Sequence, residues 1–199
     1  IRMVRYGFEY GREELERATQ RLAMVNEVHE ALSRSVEGDE LLELVLDRAF
    51  ASLRPQHGAI FLERDGEMKC VVARNEPGLT DDFPESSSLV AEVVGKGLAA
   101  LVTDVASDER FADADSMLGA GVRTLVAAPL MTPDGPLGMI VLSSTYLDHQ
   151  FSENDLQLLV LLASAAAMHI RSVGLAEEAA ERRRWEREVA LARYIQVAL

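Results

Sequence analysis

The sequence predicts one α/β core of the α+β type, in which a central sheet lies between helices. Two pairs of apolar runs, residues 58–63 with 68–74 and residues 124–131 with 137–144, are each joined by a turn that contains Asp-Gly. This arrangement is typical of β-hairpins. Apolar residues at helical spacing precede the first pair and follow the second. Because strands that arrive in hairpins pair antiparallel, we expect a mixed or antiparallel sheet rather than a doubly wound parallel one.

Residues 1–37 predict a linker helix that pairs with another helix. Its apolar residues alternate at spacings of three and four over roughly three heptads. They include Leu15, Ala18, Leu22, Val25, Leu32 and Val36. Because a seam this short is marginal alone, we expect a partner helix to cover it. The prediction is a homodimer that uses Leu15, Leu22, Val25 and Leu32.

The core domain is predicted over residues 38–173. Asp39 is the expected N-cap of its first helix, which ends at Arg54-Pro55. Between the hairpins the sequence predicts a polar loop (75–88), a short helix (89–95), an extended segment (98–102) and an acidic irregular segment (104–121). A last helix begins at Ser152, and its part over residues 174–199 is expected to be a separate signalling helix.

Composition favours a soluble cytoplasmic protein. Lys and Arg total 20 against 33 Asp and Glu, a formal net charge of -13, which disfavours nucleic acid and anionic membranes as partners. Cys70 is the only cysteine, so an intrachain disulfide and a multi-cysteine zinc site are excluded. The longest apolar run, residues 156–170, is shorter than the roughly 18–20 residues that cross a bilayer.

The last helix carries two apolar patterns that are out of phase. Leu159, Ala163, Ala166, Ile170 and Val173 keep a three-four spacing, and the pattern then turns polar around residues 177–184. It resumes one position later, at Trp185, Val189, Ala192, Gln196 and Leu199. A shifted seam predicts a helix with two packing registers of similar energy. Ile170 and Val173 are predicted dimer contacts, and the predicted transmission residues are Trp185, Val189, Ala192, Ile195, Gln196 and Leu199.

Six segments of the core, taken in order and spacing, resemble a GAF domain. They are L-x-x-V-L-D-R-A (42–49), S-L-V-A-E-V-V (88–94), T-D-V-A-S-D-E-R-F (103–111), G-V-R-T-L-V-A-A-P-L (121–130), L-G-M-I-V-L (137–142) and F-S-E-N-D-L (151–156). The resemblance implies a GAF/PAS-like antiparallel sheet of five or six strands, with the terminal helices on one face. The other face would enclose a pocket for a cyclic nucleotide, a tetrapyrrole or another small molecule. Dimers formed through the flanking helices are common in the family.

The position of each residue in that fold gives a candidate ligand pocket. Its members are Phe111, Met117, Thr124, Ala127, Met139 and Ser143. For Phe111, which stands among acidic residues, a lid over a ligand and a simple core plug both remain open. The identity of the ligand, and whether one binds at all, does not follow from these residues.

The chain matches none of the ligand-specific GAF subclasses well. Phe151 and Asp155 fit the cyclic-nucleotide signature, but Ser144, Thr145 and Leu156 depart from it. A capping box explains the same segment locally, with Ser152 as N-cap, Asp155 at N3, and Phe151 and Leu156 as a hydrophobic staple.

Other cofactor and metal chemistry is weakly supported. Cys70 stands in a strand away from the expected bilin attachment point and is predicted to be a small buried hydrophobe. A single cysteine also excludes the methionine-sulfoxide reductase type. Of the four histidines, His149 is the best candidate for a haem ligand, but a lone loop histidine is far more often a solvated residue. The acidic residues from Asp104 to Asp115 lack the spacing of a calcium loop. We therefore predict no metal site, no catalytic residue and no enzyme activity for this chain.

The C-terminal motif A-x-x-I-Q-x-x-L (192–199) resembles the linker that enters the catalytic domain of sporulation-stage-II-E-type serine phosphatases. The chain begins at Ile1 and ends within a helix, so we expect it to be a regulatory piece of a longer, bacterial protein. The resemblance implies a 2C-like phosphatase output domain that uses Mn or Mg. Two alternatives remain open, which are a ligand-free dimerisation scaffold and a sensor of a histidine kinase or nucleotide cyclase.

Overall fold

The computed structural model describes residues 38–76, 86–108, 119–146 and 149–197, with side chains described from Glu40 to Val189 within these ranges. Several predicted residues lie outside the described residues. They are Leu15, Leu22, Val25, Leu32, Phe111, Met117 and Leu199, together with the side chains of Ala192, Ile195 and Gln196.

Three helices and five strands are present in the described part of the chain. In order they are α1 (Gly38–Leu53), β1 (His57–Arg64), β2 (Glu67–Asn75), α2 (Ser87–Val90, continued by a π-helical turn, Ala91–Gly95), β3 (Ala100–Val102), β4 (Thr124–Thr132), β5 (Gly135–Ser144) and α3 (Glu153–Val197). The predicted hairpins, the short helix and the extended segment are thus confirmed.

The five strands form one antiparallel sheet in the order β2-β1-β5-β4-β3. Asp65 and Gly66, which join β1 to β2, both have positive φ values of 59° and 80°. This backbone conformation belongs to the tight hairpin turn that Asp-Gly favours. The predicted antiparallel sheet of the α+β type is therefore confirmed.

The two faces of the sheet belong to two apolar clusters. Ile60 and Leu62 of β1 join the larger cluster, which α1 and α3 cover. Ala59 and Phe61, which alternate with them, join the second cluster on the opposite face, beneath α2. The period-2 alternation of a strand therefore assigns every core residue of β1 to one face or the other.

Two glycines allow close packing. Gly138 lets the backbone of the paired strand β1 approach β5, and Gly58 lets α1 approach the sheet. A Cβ atom on Gly138 would lie 1.9 Å from the carbonyl oxygen of Phe61 on the paired strand β1. A Cβ atom on Gly58 would lie 2.6 Å from Cε2 of Phe50 and 2.8 Å from Cδ2 of Leu142, between the sheet and α1. Glycine is required at Gly138, because backbone atoms cannot move aside as a flexible side chain can.

Gln56, a buried residue between α1 and β1, joins the ends of three strands. Its Oε1 accepts hydrogen bonds from the Thr145 backbone N–H at 2.7 Å, the Thr145 hydroxyl at 2.6 Å and the Ser144 hydroxyl at 3.3 Å. Its backbone N–H donates to the Ser143 carbonyl, and its carbonyl accepts from the Glu76 N–H. The side chain of Gln56 therefore fixes the end of β5, and the backbone carbonyl of Gln56 fixes the end of β2.

The predicted capping box at the start of α3 is confirmed. The Asp155 N–H donates to Ser152 Oγ at 3.3 Å, and the Ser152 N–H donates to Asp155 Oδ2 at 2.7 Å. Phe151 is buried in the larger cluster and Leu156 packs against that cluster, as a hydrophobic staple requires. A local helix start therefore accounts for the residues that partly match a cyclic-nucleotide signature.

The first half of α3 packs on β4 and α1. Leu159, Ala163 and Ala166 are each 0% exposed in the larger cluster, and Ile170 packs against it. The sheet and α1 of the same chain therefore cover the first three residues of the three-four pattern on this helix. The dimer contacts predicted for Ile170 and Val173, both half-buried, stay predictions.

The second half of α3 leaves the domain. Arg171 forms an ion pair with Asp134 in the β4–β5 turn, with 2.8 Å between Nη2 and Oδ2. From Leu175 to Val189 every side chain is exposed. Within the described residues, Glu153–Val189 is also long and apolar enough to cross a membrane by length and composition alone. Its buried residues nevertheless pack on the sheet, as those of a core helix do.

Candidate functional site

A cavity of about 810 Å³ lies on the second face of the sheet, beside α2. Its apolar and sulfur-containing walls come from three adjacent strands and from α2: Phe61, Met68, Cys70, Met139, Leu89 and Val90. Phe61 pairs with Cys70 on β2 and with Met139 on β5, so these three residues stand in one row across the sheet. The volume is within the range of small-molecule sites, about 300–1,000 Å³.

The cavity is apolar at its base and polar at its rim. Phe61, Leu89 and Met139 are between 1% and 3% exposed, so they belong to the packed core as well as to the wall. The polar residues that border the same space are Glu67, Lys69, Ser86 and Ser87. Methionine and aromatic side chains present a polarizable, adaptable surface. The arrangement suits a small molecule that buries an apolar body and keeps its polar groups at the rim.

The helix α2, which borders the cavity, has an unusual backbone. Ser86 caps it by accepting a hydrogen bond from the Leu89 N–H at 3.3 Å. Beyond Val90 the helix widens into the π-helical turn Ala91–Gly95. Val93 of that turn is fully buried on the sheet. Turns of the π type are rare and often occur at functional positions. We therefore expect α2 to be the part of the cavity wall that changes its packing most easily.

Met139 is the predicted pocket residue that the structure places in the cavity wall. Ala127 lies on the same face of the sheet, but it is fully buried in the cluster that includes Leu89 and Val93. Its small side chain fits beneath the helix, so its role in the structure is packing.

Thr124 and Ser143 have different surroundings from those of a cavity wall. The Thr124 hydroxyl donates to the Val102 carbonyl at 2.8 Å, which ties β4 to β3. Ser143 pairs with Leu125 and His57 and is 0% exposed. Among the residues that the structure describes, the Ser143 Oγ has no hydrogen-bond partner. Neither residue borders the cavity beside α2.

The prediction that Cys70 is a buried hydrophobe is wrong. Cys70 is exposed and lines the cavity. The cause is the position of β2 at the edge of the sheet, where most of its side chains remain accessible. Phe61 and Met68 were also missed as wall residues. The Asp-Gly turn fixes the register of β1 and β2. Met68 and Cys70 stand two residues apart on β2, and Phe61 pairs with Cys70, so the sequence already indicated that these three side chains share one face of the sheet.

The remaining candidate ligands are explained by packing. His149 was predicted to be a solvated loop residue, but its ring packs edge-on against Phe151 with 5.0 Å between centroids. Asp104 Oδ1 accepts a hydrogen bond from the Ala106 N–H at 3.2 Å, so it stabilises its own turn. No group of three or more His, Cys, Asp or Glu residues that would hold a metal occurs in the described residues.

Solved structures show the same fold at low sequence identity. The phycoerythrobilin-bound GAF domain from a cyanobacterial phytochrome is 16% identical over 79% of this chain and 97% of its own, with a TM-score of 0.66. The free methionine-R-sulfoxide reductase from Neisseria meningitidis, in complex with its substrate, is 16% identical over 80% and 93%, with a TM-score of 0.65. The GAF domain from a Coxiella burnetii phosphoenolpyruvate-protein phosphotransferase is 16% identical over 81% and 98%, with a TM-score of 0.64.

Sequence comparison assigns the family, although no curated protein matches this chain. The GAF domain matches residues 37–170, which is more than half of the sequence. The strand order, the helices on one face and the cavity on the other agree with that assignment. The chain therefore belongs to the GAF domain family, whose members act as sensor or regulatory modules in signalling proteins.

Proposed function

We propose that this chain is a sensor module that converts a small-molecule or upstream stimulus into a change in the packing of α3. The observation that carries the proposal is the cavity of about 810 Å³, whose walls are shared with the packed core. A ligand in this cavity contacts Phe61 and Met139, which are 2% and 3% exposed. Because these side chains are close-packed on their other sides, they transmit small displacements to their neighbours.

A short path of contacts joins the cavity to α3. Met139 on β5 pairs with Pro129 on β4. Ala128 and Leu130, the residues on either side of Pro129, belong to the cluster that α3 covers. Ligand binding shifts the position of α3 only if the ligand favours one packing over another by its differential binding free energy.

The proposed output is a metal-dependent serine/threonine protein phosphatase domain of the longer chain. The motif A-x-x-I-Q-x-x-L at residues 192–199 supports it through its resemblance to a phosphatase linker. The module itself is not an enzyme in this proposal, and Mn or Mg belongs to the output domain. The substrate is phosphoserine or phosphothreonine on a small regulatory protein in the cytoplasm. A Mn-dependent phosphatase assay on the naturally extended chain tests this output, and histidine kinase or cyclase activity instead would contradict it.

Native mass spectrometry of the purified 199-residue chain tests the sensor proposal. We expect extra non-covalent mass on the unmodified chain. Met68→Trp, which fills the cavity from its half-exposed side, is expected to remove that mass. Met131→Trp is the matched control, because Met131 is 40% exposed and lies away from the cavity wall. Bare protein mass for all three chains would favour the ligand-free dimerisation scaffold and overturn the small-molecule part of the sensor proposal.

A further inference from the structure

We propose that a small polar pocket at the start of β4 binds a free amino acid through its carboxylate and ammonium groups. The pocket has a volume of about 150 Å³, which is that of about five water molecules in the liquid. None of the described residues lines both this pocket and the cavity beside α2. Its walls come from the segment after β3, the start of β4 and the segment between β5 and α3: Thr103, Asp104, Arg123, Thr124, Tyr146, His149 and Gln150.

Backbone hydrogen bonds join the walls of this pocket into one frame. The Arg123 N–H donates to the Ser144 carbonyl at 2.9 Å, and the Val105 N–H donates to the Arg123 carbonyl at 2.9 Å. The Tyr146 N–H donates to the Ser144 hydroxyl at 3.2 Å. The three wall segments are therefore held in place before a ligand arrives, which lowers the entropic cost of binding.

Two opposite charges border the pocket without pairing with each other. Asp104 and Arg123 are both exposed, and neither side chain forms an ion pair with any described residue. The Arg123 guanidinium presents N–H donors in a fork that matches a carboxylate. Asp104 Oδ1 accepts from the Ala106 N–H at 3.2 Å, which leaves Oδ2 to accept from an ammonium group. A ligand with both a carboxylate and an ammonium group is therefore complementary to these two walls.

A zwitterion fits these walls better than a simple anion or cation. Phosphate or a lone carboxylate held by Arg123 would be repelled by Asp104, and a lone amine held by Asp104 would be repelled by Arg123. The formal net charge of -13 also disfavours a purely anionic ligand. An α-amino acid has no net charge and carries its two charged groups on one carbon, so both fit within a pocket of this size.

His149 and Tyr146 supply the remaining contacts. The His149 Nε2 is shielded from solvent and has no hydrogen-bond partner in the part of the chain that the structure describes. An unpaired buried nitrogen is costly, and a ligand donor or acceptor in the adjoining pocket satisfies it. Tyr146 is 52% exposed, so its ring offers apolar area to the side chain of the amino acid.

The pocket lies at the beginning of α3. The ring of His149 packs against Phe151, with 5.0 Å between centroids, and Phe151 is buried next to the N-cap residue Ser152. A ligand that contacts His149 therefore acts on the first turn of the helix that leaves the domain. The inference is independent of the cavity beside α2 and of the output domain, because it rests on other residues.

Titration of the 199-residue chain with three small molecules of matched size tests the site, with amide chemical shifts in NMR as the readout. L-Alanine carries both charged groups, L-lactate has a hydroxyl in place of the ammonium, and L-alaninamide has an amide in place of the carboxylate. We expect L-alanine to shift the amides of Thr103, Tyr146 and Gln150, with a Kd at least about fivefold below that of either analogue. Equal affinity for L-alanine and L-lactate, or no shift of these amides by L-alanine, would overturn the proposal.

Two charge-neutralising variants locate the binding groups. Arg123→Gln removes the carboxylate partner, so we expect the Kd of L-alanine to rise at least about fivefold while that of L-alaninamide stays within about twofold. Asp104→Asn removes the ammonium partner and is expected to weaken L-alanine but not L-lactate. Arg64→Gln and Glu63→Gln are the matched controls, because both residues are exposed at the opposite end of β1. If Arg123→Gln and Arg64→Gln bind L-alanine equally well, with circular dichroism showing both folded, the assignment is overturned.

Discussion

Gln56→Ala offers the most direct test of how the sheet is held together. Gln56 is 2% exposed, and its Oε1 accepts three hydrogen bonds from Ser144 and Thr145. Alanine removes the acceptor and leaves the Thr145 N–H and two hydroxyls without it. A buried donor left unsatisfied costs about 1–3 kcal/mol. Because Thr145 is only half-buried, water replaces part of the loss, so we expect the free energy of unfolding to fall by about 2–4 kcal/mol.

Thermal unfolding followed by circular dichroism measures this loss. For a chain of this size, 1 kcal/mol lowers Tm by roughly 2–4 °C, so Gln56→Ala is expected to melt roughly 5–15 °C lower. Gln150→Ala, at an exposed glutamine, is the matched control and is expected to change stability by less than about 0.5 kcal/mol. A double-mutant cycle with Thr145→Val should recover a coupling of about 0.5–1.5 kcal/mol. If Gln56→Ala and Gln150→Ala melt together, the hydrogen bonds to Oε1 contribute nothing net and the reasoning fails.

Four further outcomes follow from the packing. Gly138→Ala is expected to lower Tm strongly or prevent folding, because its Cβ would overlap a backbone oxygen, whereas Gly95→Ala, with no atom within 4 Å, should fold normally in the same melting experiment. Ser152→Ala removes the cap of α3 and should cost about 0.5–2 kcal/mol in urea unfolding, and no change would count against the capping box. Cys70 should react with a maleimide in the native state, and any compound that occupies the cavity should slow that reaction. Trp185, the only tryptophan and 69% exposed, should shift its emission to shorter wavelength with rising concentration if the predicted homodimer pairs along this half of α3, and an unchanged spectrum would contradict that pairing.

The sheet could be predicted because its indications are local. An Asp-Gly turn between alternating apolar runs sets strand ends and register within a few residues, as the positive φ values of Asp65 and Gly66 show. The cap of α3 is local for the same reason, since Ser152 and Asp155 need only each other. These features depend on neighbours along the chain, so the sequence contains the information directly.

The cavity wall was harder to predict because it depends on the position of each strand within the sheet. Cys70 and Met68 have the same pattern of neighbours as residues of a central strand, yet β2 lies at the edge and its side chains remain accessible. Thr124 was predicted to line the pocket from its position in the fold. In the structure its hydroxyl donates a hydrogen bond to the backbone carbonyl of Val102 on β3. Tertiary placement decides such cases, and strand propensity alone does not contain it.

The surroundings of α3 could be predicted only in part, for a related reason. Periodicity shows that a helix has an apolar side, but it does not show whether the sheet of the same chain or another chain covers that side. Leu159 and Ala163 follow the helical spacing because the sheet covers them, and Leu161 and Met168 follow it on the opposite side while remaining exposed.

The packing of α3 gives it a physical means of passing on a stimulus. Its inner side packs on β4, which pairs with the strand that carries Met139 in the cavity wall. From Leu175 to Val189 its side chains are exposed, so this half of the helix follows any shift of the half that packs on the sheet. A rigid helix cannot move against the sheet without moving its exposed half. Ligand binding therefore needs to favour one packing of α3 on the sheet by its differential binding free energy, and the output domain proposed to follow α3 would sense the movement.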